Sequence, residues 1–148
     1  MLHAITYDGE LYDHVVVERE RVTLVQRQGW APGVYVSPGR KYLGIRRARC
    51  VPAISRRHAA VSLMAALLVR SIRAEVRVLI IVDDDVDARR VSTESAEIMR
   101  VGQAHAWLTS AQVDIGLEDV VRHILRPSIQ AEPETGDYEL VGILEHSG

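Results

Sequence analysis

One short apolar run in the middle of the chain constrains the fold more than any other feature. Between Val76 and Val82 only Arg77 interrupts a series of Val, Leu and Ile residues, and four aspartates follow at positions 83–87. A run of this length, rich in β-branched residues, is typical of a strand that is buried on both faces of a sheet. Such strands lie in parallel sheets covered by helices, so the run predicts an α/β fold.

The composition of the whole chain indicates one globular domain. A length of 148 residues suits a single domain, and 26% charged residues is an ordinary fraction. The net charge of −2 argues against a general binder of nucleic acid or membrane surfaces. No apolar run is long enough to span a membrane, and the N-terminus lacks a signal-peptide pattern. We therefore predict a cytoplasmic protein with a single domain over residues 1–148.

Turn signals and residue propensities divide the rest of the chain into alternating strands and helices. Asp8-Gly9 marks a turn after a first strand, and residues 56–73 favour one long helix because Ala, Leu and Met dominate them without Gly or Pro. Residues 10–27 favour strands without excluding a short helix. The other predicted elements are strands at 34–36 and 104–109 and helices at 91–99 and 117–125, the last ended by Pro127. Residues 138–144 are a last strand or a tail. This alternation predicts a mixed, mostly parallel sheet with flanking helices.

Four segments occur in an order that is similar to one known family. They are Leu2-His3-Ala4-Ile5 with Gly9-Glu10, His58-Ala59-Ala60-Val61-Ser62-Leu63, residues 76–87, and Ala96-Glu97-Ile98-Met99-Arg100. Together they resemble the C-terminal domain of the UbiD family, decarboxylases that use prenylated FMN. The resemblance covers residues 2–118 and leaves 119–148 as a divergent tail. It implies a strand at residues 58–63, where propensity predicts a helix, and an extended segment at 106–110.

The same resemblance implies a function without a catalytic residue on this chain. The family's catalytic residues and its flavin and metal ligands belong to an earlier domain that has no counterpart here. The chain is therefore expected to be a small non-catalytic subunit in a hetero-oligomer, docked on a larger UbiD-like subunit that holds prenylated FMN. It would assist assembly and active-site closure in the reversible non-oxidative decarboxylation of an aromatic or unsaturated acid. Met99 departs from the family's pattern, which has Thr before the arginine.

The aspartate run allows two interpretations. In the first, Asp83, Asp85 and Asp87 bind Mn²⁺ or Mg²⁺, because hard cations prefer clustered carboxylate oxygens. In the second, the run is a turn at the end of a strand, in which Asp residues cap the next helix and pair with Arg89 or Arg90. Carboxylates this close together repel one another unless a cation or a helix N-terminus compensates their charge.

Several other side chains are candidates for a partner interface. Trp30 lies in a Gly- and Pro-rich loop and is either an interface anchor or a lid on the edge of the core. Arg46 and Arg47 belong to a basic stretch that suits an acidic partner or solvent, and Arg100 closes the last segment of the resemblance. We expect His58 to be partly buried and hydrogen-bonded. No metal-ligand spacing relates the other histidines, His3, His14, His105, His123 and His146.

Two alternatives belong to other functional classes. The first alternative is a Toprim-like, metal-dependent phosphoryl-transfer enzyme. The residues that resemble its parts in outline are Glu18, Lys41, Asp83, Asp85 and Asp87. The glycines expected after the glutamate and after the aspartates are absent from this sequence. The second alternative is a receiver-like signalling domain, since the apolar run and its aspartates resemble the first strand of a receiver. Too little chain follows that strand to supply the rest of a receiver.

Overall fold

The computed structural model describes residues 1–37, 48–51, 57–91 and 96–130, which form eight strands and three helices. The strands are β1 (Leu2–Tyr7), β2 (Glu10–Val17), β3 (Arg21–Arg27), β4 (Gly33–Val36), β5 (Arg49–Cys50), β6 (Glu75–Val82), β7 (Val86–Arg90) and β8 (Glu97–Arg100). The helices are α1 (Arg57–Val69), α2 (Val101–Ser110) and α3 (Ile115–Gln130). None of the described helices is long and apolar enough to cross a membrane.

The main sheet has five strands in the order β1-β2-β3-β6-β8. The pairs β1–β2 and β2–β3 are antiparallel, whereas β3–β6 and β6–β8 are parallel. The predicted central strand is β6, and its residues from Val78 to Val82 are all buried. The predicted α/β fold with a mixed sheet is confirmed. A smaller parallel sheet, in the order β5-β4-β7, lies beside the main sheet.

Helices cover both faces of the main sheet. On one face, Leu63 of α1 and Val121 of α3 belong to the large core cluster that also contains Val78 and Ile80 of β6. On the other face, Ala104 of α2 packs in a smaller cluster. The sheet partners of Ala104 there are Val16, Val25, Leu79 and Ile81. Both clusters are apolar, so burial of these faces is the main stabilising contribution.

Arg77 interrupts the apolar run because it points to the α2 face, near the start of β6. Its Nε donates to Oγ1 of the buried Thr23 at 3.0 Å, and its Nη1 lies 3.0 Å from a carboxylate oxygen of Glu97. The guanidinium carbon lies 4.6 Å from the centre of the Trp107 ring on α2. Arg77 therefore joins β3, β6, β8 and α2 through one side chain.

The first two strands form a tight hairpin. Asp8 and Gly9 adopt φ values of 53° and 78°, the left-handed pair that a type I′ turn requires and that an Asp-Gly sequence favours. The register follows from this turn, and it places His3 opposite His14 and Leu2 opposite Val15.

The structure corrects two of the predicted elements. The predicted strand at residues 104–109 is wrong, because these residues lie in α2. Ala104, Trp107, Leu108 and Ala111 pack on one face of the sheet at helical spacing. The predicted helix at 91–99 is also wrong over residues 97–99, because β8 begins at Glu97, where the chain pairs with the buried β6; residues 92–95 of this prediction lie outside the described residues. Tertiary pairing outweighs the modest helix propensity of this segment.

The long helix predicted from propensity is confirmed over α1, so the strand that the family resemblance implied at residues 58–63 is wrong. This segment carries Ala59, Leu63 and Leu67 on its buried side, which is a helical spacing. The helix predicted at 117–125 is confirmed as part of α3, but Pro127 does not end it, since α3 continues to Gln130. A proline removes only one backbone donor near the end of a helix. The strand or tail predicted at 138–144 lies outside the described residues.

Candidate functional site

The aspartate run lies at the carboxyl end of β6, and the side chains of Asp83, Asp84 and Asp87 are directed to separate partners. Asp83 accepts a hydrogen bond from Nη2 of Arg27 at 3.1 Å. Asp84 accepts one from the backbone N–H of Gly102 at 3.2 Å, so it compensates the N-terminus of α2. The predicted capping role is therefore present, although the capped helix is α2 and strands β7 and β8 intervene.

The acidity of Asp87 is changed by its contact with Arg89. The side chain of Arg89 donates to both of its carboxylate oxygens, at 3.0 and 2.7 Å, and the backbone N–H of Arg89 donates at 3.1 Å. These hydrogen bonds hold the pKa of Asp87 well below its usual range, at about 2. The same contact raises the pKa of Arg89. The predicted pairing of an aspartate with Arg89 is present in the structure.

The geometry does not assemble the metal site considered for Asp83, Asp85 and Asp87. Within residues 1–37, 48–51, 57–91 and 96–130, no three His, Cys, Asp or Glu side chains are grouped so that they could hold a metal ion. A tight turn separates the carboxylates, with the N–H of Val86 donating to the carbonyl of Asp83 at 3.1 Å. The turn interpretation accounts for the run.

Glu18, the glutamate of the Toprim-like alternative, lies at the opposite end of the sheet. It follows the last residue of β2, and the adjoining turn pairs Arg21 with Glu75, the first residue of β6. Asp83 follows the last residue of β6. The full length of an eight-residue strand, roughly 25 Å, therefore separates the two carboxylates. The structure does not bring them together in one site.

Trp30 and Arg100, two candidates for a partner interface, have intramolecular contacts. Trp30 is half-buried against the core and stacks on Tyr35 with ring centres 5.0 Å apart. The Nε of Arg100 donates to the carbonyl of Val86 at 3.2 Å, which ties β8 to β7. Arg46 and Arg47, like Lys41, lie outside the described residues.

His58 lies on the first turn of α1 and is more exposed than expected. Its side chain is 80% exposed, and Nε2 lies 3.0 Å from a carboxylate oxygen of Asp8. The expectation of a partly buried His58 is therefore wrong, whereas the expected polar partner is present.

A cavity of about 430 Å³ lies between α2 and the β1–β2 hairpin, close to the carboxyl ends of β3 and β6. Its apolar wall is formed by Val25, Ile81, Ala104 and Leu108, together with parts of Ala4 and Val101. Its polar wall is formed by His3, His14, His105, Asp13 and Arg27. A largely apolar cavity with a few converging polar groups is the usual form of a ligand site, and crevices at the carboxyl ends of parallel strands are its usual place.

Two histidines meet at the wall of this cavity. Nδ1 of His3 and Nδ1 of His14 are 2.8 Å apart, and their rings are nearly perpendicular. Burial lowers the pKa of both imidazoles, and the positive charge of the N-terminal ammonium group lowers both further. Asp13, next to His14, accepts a hydrogen bond from the backbone N–H of Arg27 at 2.6 Å.

The pair of His3 and His14 was not predicted from the sequence, because the metal-ligand spacing considered there was that of neighbours on one helix. The signal that reveals it is the Asp8-Gly9 turn. In a hairpin with a two-residue turn, the numbers of two facing residues add up to the same value as the numbers of the two turn residues. His3 and His14 meet this condition for the Asp8-Gly9 turn, so they face each other across the hairpin.

A third feature is an apolar surface on α1. Val61, Met64, Leu68 and Val69 have exposed fractions of 48%, 39%, 52% and 86%. We call these four residues the α1 outer face. Between residues 59 and 69 the helix contains no charged side chain, so the outer face lacks the polar residues that surface helices usually present to water.

His105 of α2 adds a third imidazole to the cavity between α2 and the β1–β2 hairpin. The cavity therefore combines three histidines from three separate elements.

Comparison of the chain with known protein families, with curated proteins and with solved structures found no match.

Proposed function

We propose that this protein is a small non-catalytic subunit that docks on a larger protein through the α1 outer face. The observation that carries the proposal is the exposed row formed by Val61, Met64, Leu68 and Val69 on a helix without charge. The largest contiguous apolar patch on a typical monomer covers about 300–600 Å² and is often functional. From the exposed fractions, the side chains of this face offer roughly 400 Å². That is about half of the ~800 Å² that each partner contributes to a standard interface, so the α1 outer face would be the apolar centre of a larger contact.

The opposite side of the same helix already contributes to the core. Ala59, Leu63 and Leu67 are buried against the sheet. An apolar outer side is therefore not needed for folding, and its exposure to water carries an unfavourable hydration free energy of about 25 cal/mol per Å². Docking on a partner removes that cost.

The larger protein that we propose is a UbiD-like catalytic subunit that holds prenylated FMN, in a cytoplasmic hetero-oligomer. Support for this identity is the family resemblance of the first hairpin and of β6 with its aspartates. Residues 58–63 and 106–110 no longer contribute to it, since both lie in helices. The partner would supply the cofactor and the catalytic residues for reversible non-oxidative decarboxylation.

Affinity purification from the native host at low salt tests the proposal. Leu68→Glu places a charge in the centre of the α1 outer face. Leu11→Glu is the matched control, because Leu11 is 51% exposed and Leu68 is 52% exposed. We expect the wild-type chain and Leu11→Glu to retain one large protein in stoichiometric amount, and Leu68→Glu to lose it.

The partner's identity is read by mass spectrometry and visible absorbance of the same sample. A decarboxylase-like subunit with flavin absorbance supports the full proposal. A colourless partner of another class that Leu68→Glu loses supports docking through α1 and contradicts the decarboxylase assignment. If Leu68→Glu retains whatever the wild-type chain retains, or if the wild-type chain is recovered alone, docking through α1 is contradicted.

A further inference from the structure

We propose that His3 and His14 are the protein ligands of a site for a divalent transition metal ion, with Cu²⁺ and Ni²⁺ preferred. The site lies at the wall of the cavity under α2, and it is independent of the docking role of α1. Imidazole nitrogen is a common ligand of Cu²⁺, Ni²⁺ and Zn²⁺. The inference rests on the facing of two ring nitrogens across the hairpin, 2.8 Å apart.

The distance between the two nitrogens favours one coordination geometry. With metal–nitrogen bonds of about 2.0–2.1 Å, two ligands at a right angle are about 2.9 Å apart, and two at a tetrahedral angle are about 3.4 Å apart. The two nitrogens are hydrogen-bonded at 2.8 Å, an ordinary hydrogen-bond distance that is close to the first value. They therefore need to move less for right-angle ligation than for tetrahedral ligation. Right-angle coordination belongs to tetragonal Cu²⁺ and Ni²⁺, whereas Zn²⁺ in proteins is usually tetrahedral.

The state of the two rings suits metal binding. Each ring must be neutral to offer a lone pair, and a hydrogen bond between the two Nδ1 atoms, which are 2.8 Å apart, already requires at least one neutral ring. In the metal-free hairpin, one Nδ1 carries the proton that the other accepts. On binding, that proton moves to Nε2 of the same ring, so both Nδ1 lone pairs reach the ion while each imidazole stays neutral.

The hairpin holds the pair in place. His3 and His14 face each other in the register that the Asp8-Gly9 turn imposes, so the two rings approach without a long loop to order. Such preorganisation lowers the entropic cost of binding. The cavity of about 430 Å³ leaves room for water or an added ligand at the remaining positions, and Asp13 and His105 line its wall.

The test uses tag-free full-length protein and titration calorimetry with Cu²⁺, Ni²⁺ and Zn²⁺ salts near neutral pH. We expect one equivalent of metal to bind, with Cu²⁺ tighter than Ni²⁺. His3→Gln and His14→Gln should each weaken Cu²⁺ binding at least tenfold. His58→Gln is the control, because it also removes an imidazole but at a different place. His58 is 80% exposed on α1, pairs with Asp8 and does not line the cavity. Electron paramagnetic resonance of the Cu²⁺ form should show hyperfine coupling to two imidazole nitrogens.

Two outcomes would overturn the proposal. In one, the wild-type chain binds no ion more tightly than the double variant His3→Gln, His14→Gln. In the other, His3→Gln abolishes binding and His14→Gln does not, which indicates chelation by a free amino terminus and a third-position histidine alone. Circular dichroism of each variant distinguishes loss of the ligand from loss of the fold, and His14→Asn provides a second variant if His14→Gln does not fold.

Discussion

Replacement of Arg77 by Met tests whether one charged side chain fastens α2 to the sheet. Arg77 has only 12% of its side chain exposed, and it contacts Thr23, Glu97 and Trp107. Met retains most of the apolar stem and removes the guanidinium. The variant therefore isolates the polar contacts from simple packing loss.

The expected loss follows from these contacts. Leaving the buried hydroxyl of Thr23 without its donor costs about 1–2 kcal/mol. Loss of the contact with the Trp107 ring costs about 1 kcal/mol. The ion pair with Glu97 contributes less than about 0.5 kcal/mol, because Glu97 is 59% exposed. Removal of the buried charge also relieves its desolvation cost, which raises the free energy of unfolding by about 1 kcal/mol. This cost is present because Nη2 of Arg77 has no hydrogen-bond partner in the described part of the chain. The net destabilisation is about 2 kcal/mol.

Urea unfolding at neutral pH, followed by circular dichroism, measures this value. Glu97→Gln is the control for the ion pair and should change the free energy of unfolding by less than about 0.5 kcal/mol. Combining Arg77→Met with Trp107→Leu should show a coupling energy of about 1 kcal/mol between the two side chains. If Arg77→Met is as stable as the wild type or more stable, the desolvation of the guanidinium outweighs its contacts and the reasoning is refuted.

Three further predictions follow from backbone and ionisation features. Ser71 has φ 63° at the end of α1, so Ser71→Gly should raise the free energy of unfolding by about 1 kcal/mol in urea, and a lower value would contradict the assigned strain. Asp84→Ala should lower that free energy by about 1 kcal/mol and Asp84→Asn by less, because Asp84 accepts from the N–H of Gly102; equal losses would argue against this cap. Burial lowers the pKa values of His3 and His14 from the ordinary value of histidine in the folded chain, so the unfolded chain takes up protons first as the pH falls. Stability should therefore fall from about pH 7.5 to about pH 5.5, and His14→Gln should reduce this slope in urea unfolding at both pH values.

The sequence was most informative where local chemistry decides the conformation. The Asp8-Gly9 turn and the apolar run from Val76 to Val82 have strong local preferences, and both are present as predicted. The prediction for residues 104–109 failed because alternating Ala and larger side chains imitate a strand, whereas the wider spacing that includes Ala111 is helical. The strand β8 could not be predicted, because its extended form depends on pairing with β6.

The candidate sites were less predictable than the fold, since each depends on partners distant in sequence. The aspartates looked like one cluster, but Asp83 and Asp84 are directed to Arg27 and Gly102 by the packing of other elements. His3 and His14 looked unrelated until the hairpin register placed them together. The exposure of Leu68 could not be predicted from the sequence, because a helix buried on all sides and an apolar helix with one exposed side have the same composition.

The parallel pairing of β3 with β6 has a consequence for how fast this protein folds. Arg27 and Glu75 mark the two ends of a long connection that includes β4, β5 and α1, and the centre of the sheet cannot form until that connection closes. Closing such a connection costs chain entropy before any contact between the strands compensates it. The β1–β2–β3 meander is local in sequence and can form first. We therefore expect the meander to serve as a template onto which β6 is added in the rate-limiting step.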